Sequence, residues 1–452
     1  MPYQLPTDPS IASTDPLGIH DVEHPQQSEV LDRLLEGAIV RIASNAPLVD
    51  VLPGVIEDIA YTVHGNGTLD ISHLRDYLLL HQSSLSAETI TFLLSTARIL
   101  PDHFPTHSLK TLDTDGDTVS CNGAQVNVLL AHQFLGTLPQ VEGTSWGIPC
   151  FTAWFAANPA HQQAVDGYLA TVFHFFAQGG YPETANFDFS VCTADDMPDP
   201  SQCDQLPHVQ LFRTVEESEP SNAPGTPFVL VAANSQPGPG PTATQEERLQ
   251  SASPALSTSA LFTPIIADRA VVVTSAFPVH AAWKGHNRTA RLERLCGVEE
   301  RLSRRYILAD ALQLDVEEAA GGISDLQSGN VEREVKKLFA AFSGAAKMLA
   351  VEGSQEQCII EAGAWGCGAF GGNILVKTVC IMIASAMTGV VVHLTLLEQR
   401  AAHIEAITAL LEKNLTTKHL WKCISNPSMR TAKSTNDIMH PFGITLPLLR
   451  TP

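Results

Sequence analysis

Gly363-Ala364-Trp365-Gly366-Cys367-Gly368-Ala369-Phe370-Gly371-Gly372 decides how the chain is read, because of what lies on either side of it. Before it, Gln357-Cys358-Ile359-Ile360-Glu361-Ala362 is short and apolar enough for a buried strand; after it, Asn373 to Thr388 is one long apolar run. That order is a strand, a glycine-rich loop and a helix. Glycines reach positive φ without a Cβ clash and bring several N–H groups close to a guest. The following helix turns the positive end of its dipole to the same place, and the guest that suits it is a phosphate or diphosphate. Glycines also serve merely to turn a chain. Trp365 and Phe370 bear on the choice, since two large rings among glycines wall a cleft as readily as they plug a core.

With 452 residues the chain has room for two or three domains, and 44% hydrophobic with 17% charged residues is ordinary for a soluble globular protein. Met1-Pro2-Tyr3-Gln4 has no basic segment leading into an apolar run, so no signal peptide is expected. The longest apolar run, Thr378 to Val392, is interrupted by Gly389 and too short for a confident membrane span. Nine cysteines without a paired C-x-x-C point to reduced thiols in an intracellular protein, nuclear or cytoplasmic, and away from a zinc ribbon. The N-x-T matches at Asn66, Asn287 and Asn414 then carry no meaning. Residues 1–200 hold 24 acidic against 5 basic side chains, a balance of −19, and the remainder is near neutral at −2. A nucleic-acid binder would carry a basic footprint, so direct nucleic-acid binding is disfavoured. A phosphate-bearing ligand would have to be held by local backbone donors.

Residues 1–25, rich in proline, aspartate and serine, read as a flexible arm. From 26 to 185 the pattern is helical: Leu31, Leu34, Leu35, Ala38, Ile39 and Ile42 recur at helical spacing, as do Val165, Tyr168, Leu169, Val172 and Phe176. Ser86 with Glu88 starts another helix, and Gln125 to Leu138 makes one that ends before Pro139. Asp113-Thr114-Asp115-Gly116-Asp117 suggests a calcium loop, but the twelfth position is Ala124, so a polar turn and no metal are expected. From 186 to 425 short β-rich runs alternate with helical segments: 187–192, 209–213, 228–233, 261–266, 270–275, 306–312, 357–362 and 390–396. This predicts an α/β domain with a mixed or mainly parallel sheet between helix layers. Residues 426–452 read as a polar tail with no need of order.

The strand Phe228–Ala233 ends at Asn234, and Pro237-Gly238-Pro239-Gly240-Pro241 leads into Thr242-Ala243-Thr244-Gln245-Glu246-Glu247. Thr244 and Glu247 are spaced for a capping box, which explains one acid by local structure alone. It does not explain two adjacent acids after a second glycine-bearing loop at a strand end, where open α/β sheets place ligands. A carboxyl group partly desolvated there keeps its proton near neutral pH and can act as general acid on a glycosidic oxygen.

Together, Gln245-Glu246-Glu247 and the W-G-C-G-A-F-G-G run of 365–372 resemble the catalytic signature and diphosphate loop of the poly(ADP-ribose) glycohydrolase family. Gln125–Ala131, Tyr306–Leu312 and Asn330–Val335 add weaker matches in family order, so the resemblance spans roughly residues 70 to 400. It implies a macrodomain-like three-layer α/β/α fold preceded by an all-helical accessory region. It implies that Glu247 is the general acid and then base, that Glu246 binds ribose hydroxyls, and that Gln245 and Asn234 position the sugar. Gly238 and Gly240, with Gly366, Cys367, Gly368, Ala369, Phe370 and Gly371, would bind the remainder of the substrate, the last six holding the diphosphate. His286, or Trp283 beside it, stands where the family places an adenine-stacking ring. The implied partners are poly(ADP-ribose) and ADP-ribosylated proteins, met by a monomer without cofactor or metal. Prolines 239 and 241 depart from the family's run of glycines, and since proline lacks an N–H they cannot donate as glycines would. A non-catalytic ADP-ribose reader is therefore the alternative.

Overall fold

Phe228-Val229-Leu230-Val231 is apolar at every position, a pattern that suits a strand covered on both faces, and the structure places it in the middle of a sheet. The computed structural model describes residues 2–445 apart from 14–15, 19–24, 64–68, 142–145, 220–225 and 316–321. Among them the strands are β1 (Tyr3–Gln4), β2 (Ser108–Leu109), β3 (Thr118–Asn122), β4 (Asn186–Thr193), β5 (Val209–Thr214), β6 (Ser218–Glu219) and β7 (Phe228–Ala233). They continue with β8 (Ala270–Thr274), β9 (Phe277–Pro278), β10 (Ala281–Lys284), β11 (Arg291–Leu295), β12 (Ser303–Asp310), β13 (Ile359–Ala362) and β14 (Val391–Leu397). The main sheet runs β3-β4-β8-β12-β7-β13-β14-β5, with β9 paired to β12. From β12 to β5 all neighbours are parallel; β8, β4 and β3 extend the sheet antiparallel.

Alternate residues of each strand face opposite layers. Val229 and Val231 of β7, with Tyr306 and Leu308 of β12, pack into a core shared with the helices of the first half. Phe228, Leu230, Ile307 and Ala309 face a second core, closed by helices Asn330–Val351, Ile374–Thr388 and Ala401–Glu412. The architecture is the expected three layers, but the first 185 residues are not a separate unit. Their apolar stripes pack on one another and onto the sheet, so Leu31, Val126, Leu130 and Tyr168 share one buried core with it. β3, from within this helical stretch, pairs with β4 and forms the sheet edge.

Three further expectations are corrected. The N-terminal stretch is no loose arm where it is described: β1 pairs with β2, Tyr3 and Leu5 are buried, and Tyr3 Oη donates to Pro139 O at 2.6 Å. Its residues 14–15 and 19–24 lie outside the described residues. The C-terminal stretch up to 445 is ordered by docking Met429, Ile438, Met439 and Phe442 onto the second core; 446–452 lie outside the described residues. Leu261–Ile266 is no strand, because its first residues complete the short helix Ser259–Phe262. The acidic turn satisfies itself: Thr114 N–H donates to Asp117 at 2.9 Å and Lys110 Nζ lies 3.2 Å from the same carboxylate.

Candidate active site

Parallel neighbours bring whatever follows them to the same edge of the sheet. β7 and β13 are such neighbours, with Ile360 opposite Phe228 and Glu361 opposite Val229. The chain leaving β7 at Asn234 and the chain leaving β13 at Gly363 therefore emerge side by side, at the carboxyl ends where α/β sheets bind ligands. Both segments line one cleft of about 830 Å³. Asn234, Gln245, Glu246, Glu247, His286 and Gly366 to Phe370 all border it.

Gln245 opens the helix Gln245–Ala252 and ties it back to the strand, its Oε1 accepting from Ala232 N–H at 3.1 Å. Glu246 braces the loop before the helix. Its Oε2 accepts from Asn234 N–H at 2.7 Å, and its Oε1 from Gly238 N–H at 3.4 Å and from Gln250 Nε2 at 3.1 Å. Glu247 receives a hydrogen bond from Thr244 Oγ1 and is the less buried of the two, 9% exposed against 4%. Burial, then the adjacent Glu247 charge, pushes Glu246 well above the usual carboxylate range. Burial raises Glu247 too, partly offset by hydrogen bonds from Thr242 and Thr244. Two carboxyls so placed hold a shared proton to higher pH than free carboxyls do. N–H donors on both oxygens of Glu246 favour its anion and oppose that rise.

Raised carboxyl values have a sign for stability. The folded state holds protons that the unfolded chain, with ordinary carboxyls, gives up, so stability falls as pH rises from the unfolded value through the folded one. The Glu246–Glu247 pair should contribute such a loss. The double amide variant Glu246→Gln/Glu247→Gln is expected to flatten the fall in urea midpoint between pH 4 and pH 8; an unchanged slope would place the proton uptake elsewhere.

Gly238 and Gly240 are not where the resemblance puts them. Neither borders the cleft, and their N–H groups turn inward, Gly238 to Glu246 and Gly240 to Gly238 O at 3.0 Å. A Cβ on Gly240 would lie 3.0 Å from Glu247 Oε1, so this glycine forms the wall against the acid. Asn234 closes a turn, its Oδ1 accepting from Gln236 N–H at 3.0 Å. Trp283 is fully buried against Tyr168, which removes it as a stacking ring, whereas His286 sits at the cleft rim.

In the glycine loop, Gly366 and Gly371 take φ of 72° and 70°. Internal bonds from Cys367 N–H to Ala364 O and from Gly372 N–H to Gly366 O tighten the turn. Among the described residues, the N–H groups of Gly366, Gly368, Ala369 and Phe370 have no protein acceptor. Gly371 lies behind them, its N–H bonded to Gly368 O. The helix behind the loop does not add its own free end, because Asn373 Oδ1 already accepts from Leu375 and Val376 N–H. Trp365 is buried, with Nε1 donating to Ala309 O at 3.0 Å, and both it and Phe370 border the cleft.

Beneath the loop lies a buried chain of alternating charges that local pattern did not reveal. Lys337 meets Asp310 at 2.5 Å, Arg333 bonds Asp310 and meets Glu334 at 2.8 Å, and Lys377 bonds Glu334 and lies 3.5 Å from Asp325. Asp325 in turn accepts from Asn373 N–H at 2.8 Å, at the end of the loop. Phe212, Glu361, His393 and Arg400 also border the cleft. Phe212 is 42% exposed, with its ring 4.9 Å from that of His393.

Residues 222–403 match the model of the poly(ADP-ribose) glycohydrolase catalytic domain, of macro domain fold. Through that stretch, 182 of its 452 residues, the chain is similar to the poly(ADP-ribose) glycohydrolase family. Among solved structures, that of the Thermomonospora curvata poly(ADP-ribose) glycohydrolase bound to the inhibitor ADP-HPD aligns with 15% identity over 46% of this chain and 78% of its own, TM-score 0.31. The Deinococcus radiodurans poly(ADP-ribose) glycohydrolase in complex with ADP-ribose aligns with 13% identity over 46% of this chain and 87% of its own, also at 0.31. No curated protein sequence matches the chain. The matched stretch contains both cleft segments. Among the described residues no helix is long and apolar enough to cross a membrane, and no three His, Cys, Asp or Glu side chains group as a metal site would need.

Proposed function

We propose that the protein hydrolyses the ribose–ribose O-glycosidic bonds of poly(ADP-ribose), free or on ADP-ribosylated proteins, and releases ADP-ribose. The observation that carries this is the meeting, in one cleft, of a buried carboxyl pair and a loop with four unpartnered N–H groups. The diphosphate lies on the N–H groups of Gly366, Gly368, Ala369 and Phe370, which hold an anion without a basic side chain. That places the adjoining ribose toward the Gln245–Glu247 end of the cleft. Glu247 gives its proton to the leaving ribose oxygen, then takes one from the attacking water; the anionic Glu246 stabilises the oxocarbenium-like centre that forms between the two steps. Phe212 and His286 are two of the rings at the cleft that can meet the adenine.

The experiment is incubation with end-labelled poly(ADP-ribose), in which ADP-ribose should appear. A second reading, a reader that binds ADP-ribose without cutting, is favoured by the turned-in Gly238 and Gly240 N–H groups; its mark is calorimetric binding with no release at high protein concentration. Either reading needs the loop. A side chain at the left-handed φ of Gly366 costs roughly 1–2 kcal/mol, and its Cβ would lie 2.6 Å from that of Ala311. Gly366→Ala is therefore expected to weaken ADP-ribose binding about tenfold or more, and undiminished binding would move the diphosphate elsewhere.

A further inference from the structure

We infer that Trp154 and Tyr168, in the helical half, are positioning residues that clamp the proline-rich loop against Glu247 and so set the acid's place. The inference rests on the reading of Glu247 given above. Trp154 Nε1 donates to Gly240 O at 2.9 Å, and Tyr168 Oη donates to Thr242 O at 2.7 Å. Both rings are buried, with centroids 5.3 Å apart, and Trp154 is stacked on Phe151 at 4.3 Å, so neither donor is free to swing. The backbone of 147–148 closes the other side: a Cβ on Gly147 would run into Pro237 O, and one on Gly238 would lie 2.6 Å from Ile148 O.

The loop itself explains why such a clamp is needed. Pro237, Pro239 and Pro241 fix φ but supply no N–H, and the N–H groups of Gly238 and Gly240 are spent inside the site. What remains to anchor the loop is its carbonyls, and the helical half provides two donors for them. Gly240 is both the residue held by Trp154 and the wall against Glu247 Oε1. A shift there opens the acid to water without touching the N–H groups of Gly366 to Phe370.

Trp154→Phe and Tyr168→Phe, singly and together, keep a ring and remove one donor each. The measurements are turnover of poly(ADP-ribose), calorimetric affinity for ADP-ribose, thermal midpoint, and hydrogen exchange of the 238–246 amides. Expected is a loss in kcat of roughly tenfold per variant, the loss of one hydrogen bond to a buried carbonyl, and faster exchange at 238–246. KM and ADP-ribose affinity should stay within about twofold, and the upper limb of the pH profile should move to lower pH as water reaches Glu247. Unchanged kcat overturns the inference, and so does an equal loss in kcat, affinity and thermal midpoint, which marks a generally loosened fold. If the wild-type chain releases no ADP-ribose, the glycohydrolase reading fails. Exchange at 238–246 then decides the clamp by itself, faster exchange in both variants upholding it and unchanged exchange overturning it.

Discussion

Glu247→Gln is expected to lower turnover of poly(ADP-ribose) by about 10²–10⁴, the usual worth of a positioned proton donor, with ADP-ribose affinity nearly unchanged. The substitution keeps shape and volume, and an amide beside Thr244 Oγ1 still finds a hydrogen-bond partner. What it cannot do is pass a proton to a leaving oxygen. The contacts proposed for the diphosphate would be untouched because they come from the backbone after β13, a different element. Glu246→Gln should behave differently. Glu246 accepts from the N–H groups of Asn234 and Gly238 and from Gln250, so an amide there sets N–H against N–H on one side. That variant should lose thermal stability as well as turnover, the mark of a brace, while Glu247→Gln should be at least as stable as the parent near neutral pH. Release of ADP-ribose by Glu247→Gln at the parent rate would remove Glu247 from the reaction.

The contrast between the two acids also shows what the sequence could and could not disclose. Both cleft segments announce themselves locally: each follows a short apolar run and contains glycines, and each lies where a parallel strand would end. Their adjacency is not local. It follows from β7 pairing with β13, two strands separated by more than a hundred residues and by β8 to β12 in the chain, and no periodicity encodes that choice. Phe212 escaped notice for the same reason, since it borders the cleft only because β5 adds to the far side of β14. Trp283 shows the converse, a ring plausible from its position near His286 that packing under Tyr168 takes out of reach. The terminal segments misled because Tyr3, Leu5, the Ile438-Met439 pair and Phe442 are small apolar spots with no helical or strand period. Periodicity detects faces, and single anchors have none. Leu261–Ile266 is the familiar ambiguity of a short apolar run, settled here in favour of a helical turn.

Lys377→Met should destabilise the fold by about 3–5 kcal/mol, the cost of leaving a buried charge without its partner. Lys377 is 1% exposed, and it is bonded to Glu334 and 3.5 Å from Asp325, each 2% exposed. Methionine fills the space, so packing is nearly conserved and the loss is electrostatic. Glu334 keeps Arg333 at 2.8 Å, while among the described residues Asp325 keeps no other cation within ion-pair distance, only backbone donors such as the Asn373 N–H. Burial already raises Asp325 and Lys377 opposes the rise; without the lysine it rises further, and the folded variant takes up a proton that the unfolded chain does not. Its deficit should therefore be largest at neutral pH and shrink on acidification toward the ordinary carboxyl range. Asp325→Asn in the same chain should recover a substantial part of the loss, since a neutral amide oxygen still accepts from Asn373. Urea unfolding of the parent, single and double variants at pH 7 and pH 5 reads all three statements. Equal midpoints for parent and Lys377→Met at pH 7 would show that the buried charges contribute nothing. A deficit that the double variant does not reduce would assign the loss to packing around Gly366 and Gly372, where the lysine Cε lies within 3.3 Å of where a Cβ on either glycine would stand. The ion chain bears on the site through that contact: the same lysine that neutralises Asp325 and Glu334 forms the floor on which the glycine loop rests.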